Sequence, residues 1–196
     1  MLIWSSIFET NIELVDLQHR KLFELLNKLC DSFEHGRASE ALVNEILQEL
    51  LTYADKHFVD EELLMVRSKV DIRHINIQRM EHSSFIYDIK NLRKGLCTED
   101  DFQEVSEKLV CFITSWLTFH ILGTDMIMAA QIRAIEHGAT PGQAYESQNT
   151  INYDTATIHL MLDSVMELWR ISLERCNKLE EKLETILGVR TQSSSY

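Results

Sequence analysis

Five stretches of this chain repeat apolar residues at steps of three and four, and the links between the first four are short. That spacing lines the apolar side chains along one stripe of an α-helix, and such a stripe has to be buried against another element. The first stretch runs from about Asp16 to His35, with Leu22, Phe23, Leu26, Leu29 and Phe33 in line. The second runs from about Glu40 to Arg67, behind Ser39, whose hydroxyl suits a helix N-cap. The third spans about Arg73 to Lys94, with Gly95 as its stop. The fourth opens at Thr98, whose spacing to Asp101 makes a capping-box variant. It passes through Phe102, Val105, Leu109, Phe112 and Trp116, is interrupted at Gly123, and continues to about Glu136. Short links make neighbouring helices antiparallel, so the expected fold is all-α: an up-down-up-down antiparallel four-helix bundle followed by a long C-terminal heptad helix. One Pro and six Gly are too few turn formers for an all-β alternative.

The pattern fails from His137 to Asp154, which reads as a linker with one turn of helix after Thr140-Pro141. From Thr155 to Gly188, Ile158, Leu162, Val165, Trp169, Ser172, Cys176, Leu179, Leu183 and Ile186 follow alternating steps of four and three. A 3.5-residue period held this long, with charged flanks, predicts a parallel coiled coil joining two chains; the plainer reading is a fifth helix laid on the bundle. The expected organisation is a bundle over residues 1–137, a linker over 138–154, a signalling or coiled-coil helix over 155–190 and a disordered tail over 191–196.

Charge narrows the partners. Against 19 basic residues stand 31 acidic ones, a net charge of −12, which disfavours nucleic acid and anionic membrane surfaces. The most apolar stretch, Leu109 to Gly123, is short for a bilayer span and carries His120. Cys30, Cys97, Cys111 and Cys176 are scattered, as reduced thiols in a cytoplasm would be.

The chemistry lies in polar residues placed on apolar stripes, where an ionisable group is costly unless it is paired or binds a metal. His19 sits on the first stripe, His57 and Glu61 on the second, Gln78 and His82 on the third, and His120 on the fourth with Asp125 beyond it. A single inward histidine is ordinarily a hydrogen-bonded core residue. Four histidines and two carboxylates converging in one bundle suit a site for iron, zinc or manganese. His120 and Asp125 lie five residues apart, about 140° around a regular helix, so a π-like widening or a helix end near Gly123 is needed to turn Asp125 inward. His35, His74, His137 and His159 read as solvated surface residues.

His57-Phe58-Val59-Asp60-Glu61-Glu62 with Met65, followed by Glu81-His82-Ser83-Ser84-Phe85, resembles the signature of the hemerythrin family. Trp116-Leu117-Thr118-Phe119-His120-Ile121 with Asp125 resembles its fourth-helix motif, and Asp16-Leu17-Gln18-His19 its first. The resemblance covers about residues 1–137 and is nearer to the bacterial sensor-type members, of the kind fused to outputs such as diguanylate cyclases. It implies two non-haem iron ions with an oxo or hydroxo bridge, taking O2 or small anions as ligands. His19 and His57 would hold one iron, His82 and His120 the other, with Glu61 and Asp125 bridging. The chain departs from the family at Gln78, where the pattern has a histidine. That implies either an amide ligand or an exchangeable position. The expectation is therefore an O2 or redox sensor rather than an enzyme, signalling through its C-terminal helix as a homodimer to an output outside this chain. An O2 or iron store, and a di-iron oxidase or NO reductase, are the alternatives.

Overall fold

The computed structural model describes residues 2–34, 39–93, 102–147 and 153–187, and among them there are helices and no strand. Helices α1 (Glu13–Glu34), α2 (Glu40–Arg67), α3 (Ile72–Arg93) and α4 (Phe102–His120) form the bundle. A π turn (Ile121–Asp125) carries α4 directly into α5 (Met126–Glu136). The single turn α6 (Pro141–Glu146) and the long α7 (Thr155–Leu187) follow. Ser39 caps α2 by accepting from the Leu42 amide, and Thr140 with Gln143 closes a capping box on α6. The stop expected at Gly95, the cap at Thr98 and the tail of residues 191–196 lie outside the described residues.

The bundle is antiparallel throughout. Gln18 pairs with Asp60 and Lys28 with Glu49, so α1 and α2 run in opposite senses. Arg79 meets Glu62 while Arg93 meets Asn44, which does the same for α2 and α3. Glu81 accepts from Thr124, and Gln78 lies against Met128, which reverses α3 against the fourth rod.

Two apolar clusters flank a polar layer. The larger includes Leu22, Leu26, Leu50, Ala54, Phe85, Ile89, Ile113 and Trp116; the smaller includes Val15, Met65, Ile75, Met128 and Ile132. Each helix thus carries its inward histidine between two apolar blocks. The run Glu104–Glu136 is long and apolar enough to cross a bilayer by length and composition, longer than the stretch ending at Gly123 suggested. It is a core rod here, since 67% of its most apolar window is buried inside the protein.

Helix α7 lies along α4, and it does so with a stripe one residue out of step with the heptads read from the sequence. Thr157, Leu160, Met161, Ser164, Leu168 and Ile171 turn toward the bundle, and Ile171, 3% exposed, joins the main core. Further along, that side is held by charge: Arg175 bonds Asp88 at 2.7 Å and Glu174 meets Lys108 at 2.8 Å. Ile158, Leu162, Val165, Trp169, Leu179 and Leu183 stay exposed, as does Cys176. The laid-on helix and the free heptad stripe are both present, on adjacent sides of one helix.

Candidate metal centre

His19 of α1, His57 and Glu61 of α2, Gln78 and His82 of α3, His120 at the end of α4 and Asp125 at the end of the π turn come together in the polar layer, all of them buried. The π turn resolves the five-residue problem. Its wider winding places Asp125 Oδ1 3.2 Å from His120 Nε2. Asp125 Oδ2 lies 3.2 Å from His19 Nε2, so this carboxylate faces one histidine from each of two pairs. Glu61 Oε2 does likewise, 3.9 Å from His57 Nε2 and 3.4 Å from His82 Nε2. Ligand atoms of His19, His57 and Glu61 all fall within 4.8 Å of one another, and so do those of Glu61, His82 and His120.

The outer nitrogens of three rings are held. His57 Nδ1 faces Gln18 Oε1 at 3.0 Å, His82 Nδ1 faces Glu62 at 3.3 Å, and His120 Nδ1 faces Glu81 at 2.8 Å. An Nδ1–H donated to each of those oxygens leaves the Nε2 lone pair pointing inward, as metal-binding imidazoles require. His82 Nε2 and His120 Nε2 then face each other at 3.1 Å with no proton to share. Phe58 stacks on His82, centroids 3.9 Å apart, and Trp116 stacks on His120 at 4.3 Å, which fixes both rings.

The electrostatics ask for a cation. Burial, with the neighbouring histidines adding to it, pushes His19 well below the ordinary imidazole range, and burial lowers His57 to about 4. Burial lowers His120 too, against the pull of Glu81. Burial thus favours the neutral form of these three rings. Burial pushes Asp125 well above the carboxylate range, and the charges of Glu61 and Glu81 push it further. Burial would raise Glu61 as well, but His57, His82 and His19 outweigh it and hold Glu61 low. Both nitrogens of His19, Glu61 Oε1, Asp125 Oδ2 and Gln78 Oε1 have no hydrogen-bond partner. Unsatisfied acceptors this deep are costly, and metal ions are what satisfies imidazole and carboxylate acceptors together.

Gln78 sits within the layer rather than beside it. Its amide nitrogen donates to Glu61 Oε2 at 3.0 Å and to Asp125 Oδ1 at 2.8 Å, tying the two carboxylates together. The sequence reading assigns no role to Gln18, Glu62, Glu81 or Thr124. Glu81 instead holds His120 and accepts from Thr124 at 2.8 Å. The signal was the position of Gln18 beside His19, and of Glu62 and Glu81 beside Glu61 and His82, within the quoted motifs. His74 corrects an expectation: it is buried, not solvated, because it starts a helix whose inward face carries Gln78 and His82 at four-residue steps. His137 and His159 are exposed, and His35 lies outside the described residues.

A helical bundle with inward imidazoles and two shared carboxylates defines a di-metal-binding bundle protein. The family model of the hemerythrin HHE cation binding domain matches residues 10–132, and the chain belongs to the hemerythrin family. It is 30% identical to a bacteriohemerythrin of Clostridium acetobutylicum over 129 residues, 64% of this chain and 96% of that protein. A bacteriohemerythrin of Methylococcus capsulatus is 28% identical over 128 residues, 65% of this chain and 93% of the other. A myohemerythrin of Theromyzon tessulatum is 30% identical over 122 residues, 62% of this chain and 86% of the other. No solved structure matches. Hemerythrins bind O2 at a non-haem di-iron centre, and the buried histidine and glutamate groups here are able to hold metal ions.

Proposed function

We propose that this chain is an O2- or redox-sensing di-iron domain. Residues 1–137 would hold the iron, 138–154 link, and the segment 155–190, which contains α7, would pass the signal on as a homodimer in a reducing cytoplasm. The observation that carries this reading is the contact between the metal layer and α7. Ile121 and Leu122 of the π turn share an apolar cluster with Phe8 and Phe23, and Leu160 and Met161 of α7 pack against it. A Cβ added at Gly123 would lie 3.7 Å from Met161 Cε. The backbone that sets Asp125 thus touches the helix that leaves the bundle.

In this reading His19 and His57 would hold one iron, His82 and His120 would hold the other, and Glu61 and Asp125 would be shared between them. When bound, the two ferrous ions supply the electrons that O2 binding draws on. The chain's own residues do the rest. Gln18, Glu62 and Glu81 aim three imidazoles, and the two apolar clusters keep bulk water away. Gln78 donates from its amide nitrogen to both carboxylates and stands where the family carries an imidazole, so one iron would keep an exchangeable position for a small anion. A shift of the Asp125 carboxylate moves the π turn, and with it the packing of Leu160 and Met161. The exposed stripe of Ile158, Leu162, Val165, Trp169, Leu179 and Leu183 supplies the seam between two copies.

Hydrogen exchange on the full chain tests the coupling. Amides in the first half of α7 should differ in protection between the diferrous and azide-bound diferric states; identical protection would sink the sensor reading. Trp169→Glu, on the exposed stripe, should give a monomer that keeps its iron in sedimentation and metal analysis. A variant that stays dimeric would place the interface elsewhere.

A further inference from the structure

The Gln78 amide has two ends, and the metal layer engages one of them. Its nitrogen donates to Glu61 Oε2 at 3.0 Å and to Asp125 Oδ1 at 2.8 Å. Those two bonds use both of its N–H groups, and the oxygen of the same planar group points away from them. One turn earlier on the inward face of α3 stands His74, buried like Gln78. Helical side chains lean toward the helix N-terminus, so Gln78 leans over the turn that carries His74. Gln78 Oε1 and His74 Nε2 are both buried, and neither has a partner in full hydrogen-bonding alignment. The two side chains nevertheless act on each other. Burial lowers His74, while Glu81, Glu61 and hydrogen bonding to the Gln78 side chain raise it. A hydrogen bond that raises an imidazole is one that the ring donates, so the atom of Gln78 that meets the ring is its oxygen.

We infer that His74 donates its Nε2–H to Gln78 Oε1, and that His74 is the positioning residue which keeps Gln78 a hydrogen-bond donor to the metal layer rather than an iron ligand. A primary amide binds a metal through its oxygen, because both of its N–H groups are donors and the nitrogen offers no free lone pair. With His74 on that oxygen, the one atom of Gln78 able to ligate is engaged outside the layer. The carboxylates alone hold the amide less firmly once they hold a metal. Glu61 Oε2 and Asp125 Oδ1 are the acceptors of its two bonds, and a cation draws on the same carboxylates. His74 supplies the hold from the other end, and its ring has the single N–H that this needs in the neutral form that burial favours. Of the two meanings open to Gln78, an amide ligand or an exchangeable position, this bond selects the second. The role toward iron rests on the di-iron reading; the bond between His74 and Gln78 does not.

Nitrogen-15 NMR of the full chain, metal-free or loaded with diamagnetic zinc, reads the bond directly. The His74 ring should be the Nε2–H tautomer, with a slowly exchanging proton whose resonance moves in Gln78→Leu. An Nδ1–H tautomer, or a resonance indifferent to Gln78→Leu, would overturn the inference. His74→Leu removes the N–H at similar volume. It should keep the wild-type iron content, lower the azide affinity of the diferric protein severalfold and shift the visible band of the azide adduct, as the freed amide turns its oxygen inward. His74→Gln puts a donor back at about the reach of Nε2 and should restore both readings. Unmoved affinity and band in His74→Leu, or a His74→Gln protein that behaves as His74→Leu does, would refute the positioning role. Should His74→Leu not fold, His74→Met makes the same comparison. Failure of the wild-type chain to bind iron would count against the proposed function, and the tautomer in the metal-free protein would still decide the bond.

Discussion

Glu61 and Asp125 share a deeply buried space, and without a cation only one of them keeps its charge comfortably. Metal binding and folding are therefore coupled at these residues. Glu61→Ala should abolish stoichiometric iron binding, read by metal analysis and by loss of the visible charge-transfer bands. A fully metallated variant with an unchanged melting temperature would remove Glu61 from the centre. Gln78→His restores the family's imidazole in the slot that now faces both carboxylates. It should slow azide association to the diferric protein in stopped-flow measurements. Equal rates would mean that Gln78 does not mark an exchangeable position. The residues gathered in the layer were legible because each is a polar break on an apolar stripe, a pattern that survives without any knowledge of neighbours. Gln18, Glu62 and Glu81 were not legible as supports. Their work is done across helix pairs, at 3.0, 3.3 and 2.8 Å, and no periodicity within one helix encodes a partner on another. His74 misled for the same reason, since its burial depends on which helices close over the start of α3.

The helices themselves were read closely, Glu40–Arg67 to the residue, because long amphipathic stripes and a serine cap are local signals. The π turn was legible from geometry alone: five residues separate two groups that have to face one way. The turn between α2 and α3 was not read at all. It is a Schellman cap, with Val70 N bonded to Met65 O at 2.9 Å, Lys69 N bonded to Val66 O at 3.2 Å, and Val70 and Met65 buried together. The same motif ends α5, where Gly138 takes the left-handed position at φ 98°. At the equivalent place in the first turn stands Lys69, at φ 59°. A β-carbon in that region is strained, so Lys69→Gly should stabilise the fold by about 1 kcal/mol and raise the melting temperature without touching iron content. A lower melting temperature would mean that the lysine side chain contributes more than its backbone costs. Helix α7 was half legible. Its exposed stripe keeps an apolar period interrupted only at Ser172, whereas its inner stripe is more mixed and was hidden by the better pattern beside it. Ile171→Ala should cost about 2–5 kcal/mol of fold stability, measured by denaturant unfolding. Trp169→Ala, 58% exposed, should leave monomer stability nearly unchanged; equal losses at the two positions would contradict the two-sided helix.

At the scale of the whole molecule, salt acts on α7 from two directions. The pairs that pin its later turns, Arg175 to Asp88, Glu174 to Lys108 and Lys178 to Glu104, are solvent-facing and weak, and weaken further as salt screens them. Two copies each carrying a net charge of −12 repel, and screening relieves that repulsion. Raising the ionic strength should therefore strengthen the dimer in sedimentation while loosening α7 from the bundle in hydrogen exchange. A dimer that weakens with salt would be held by its charged flanks instead of its apolar seam. The asymmetry behind this is the poorer of the two stripes facing inward, with Thr157 and Ser164 where larger apolar groups would grip harder. In the proposed dimeric sensor those small hydroxyls would act as a set-point: a helix held weakly by its own bundle would answer a modest disturbance at the π turn. Thr157→Val and Ser164→Ala would tighten that hold, giving a protein that still takes up iron but answers it less.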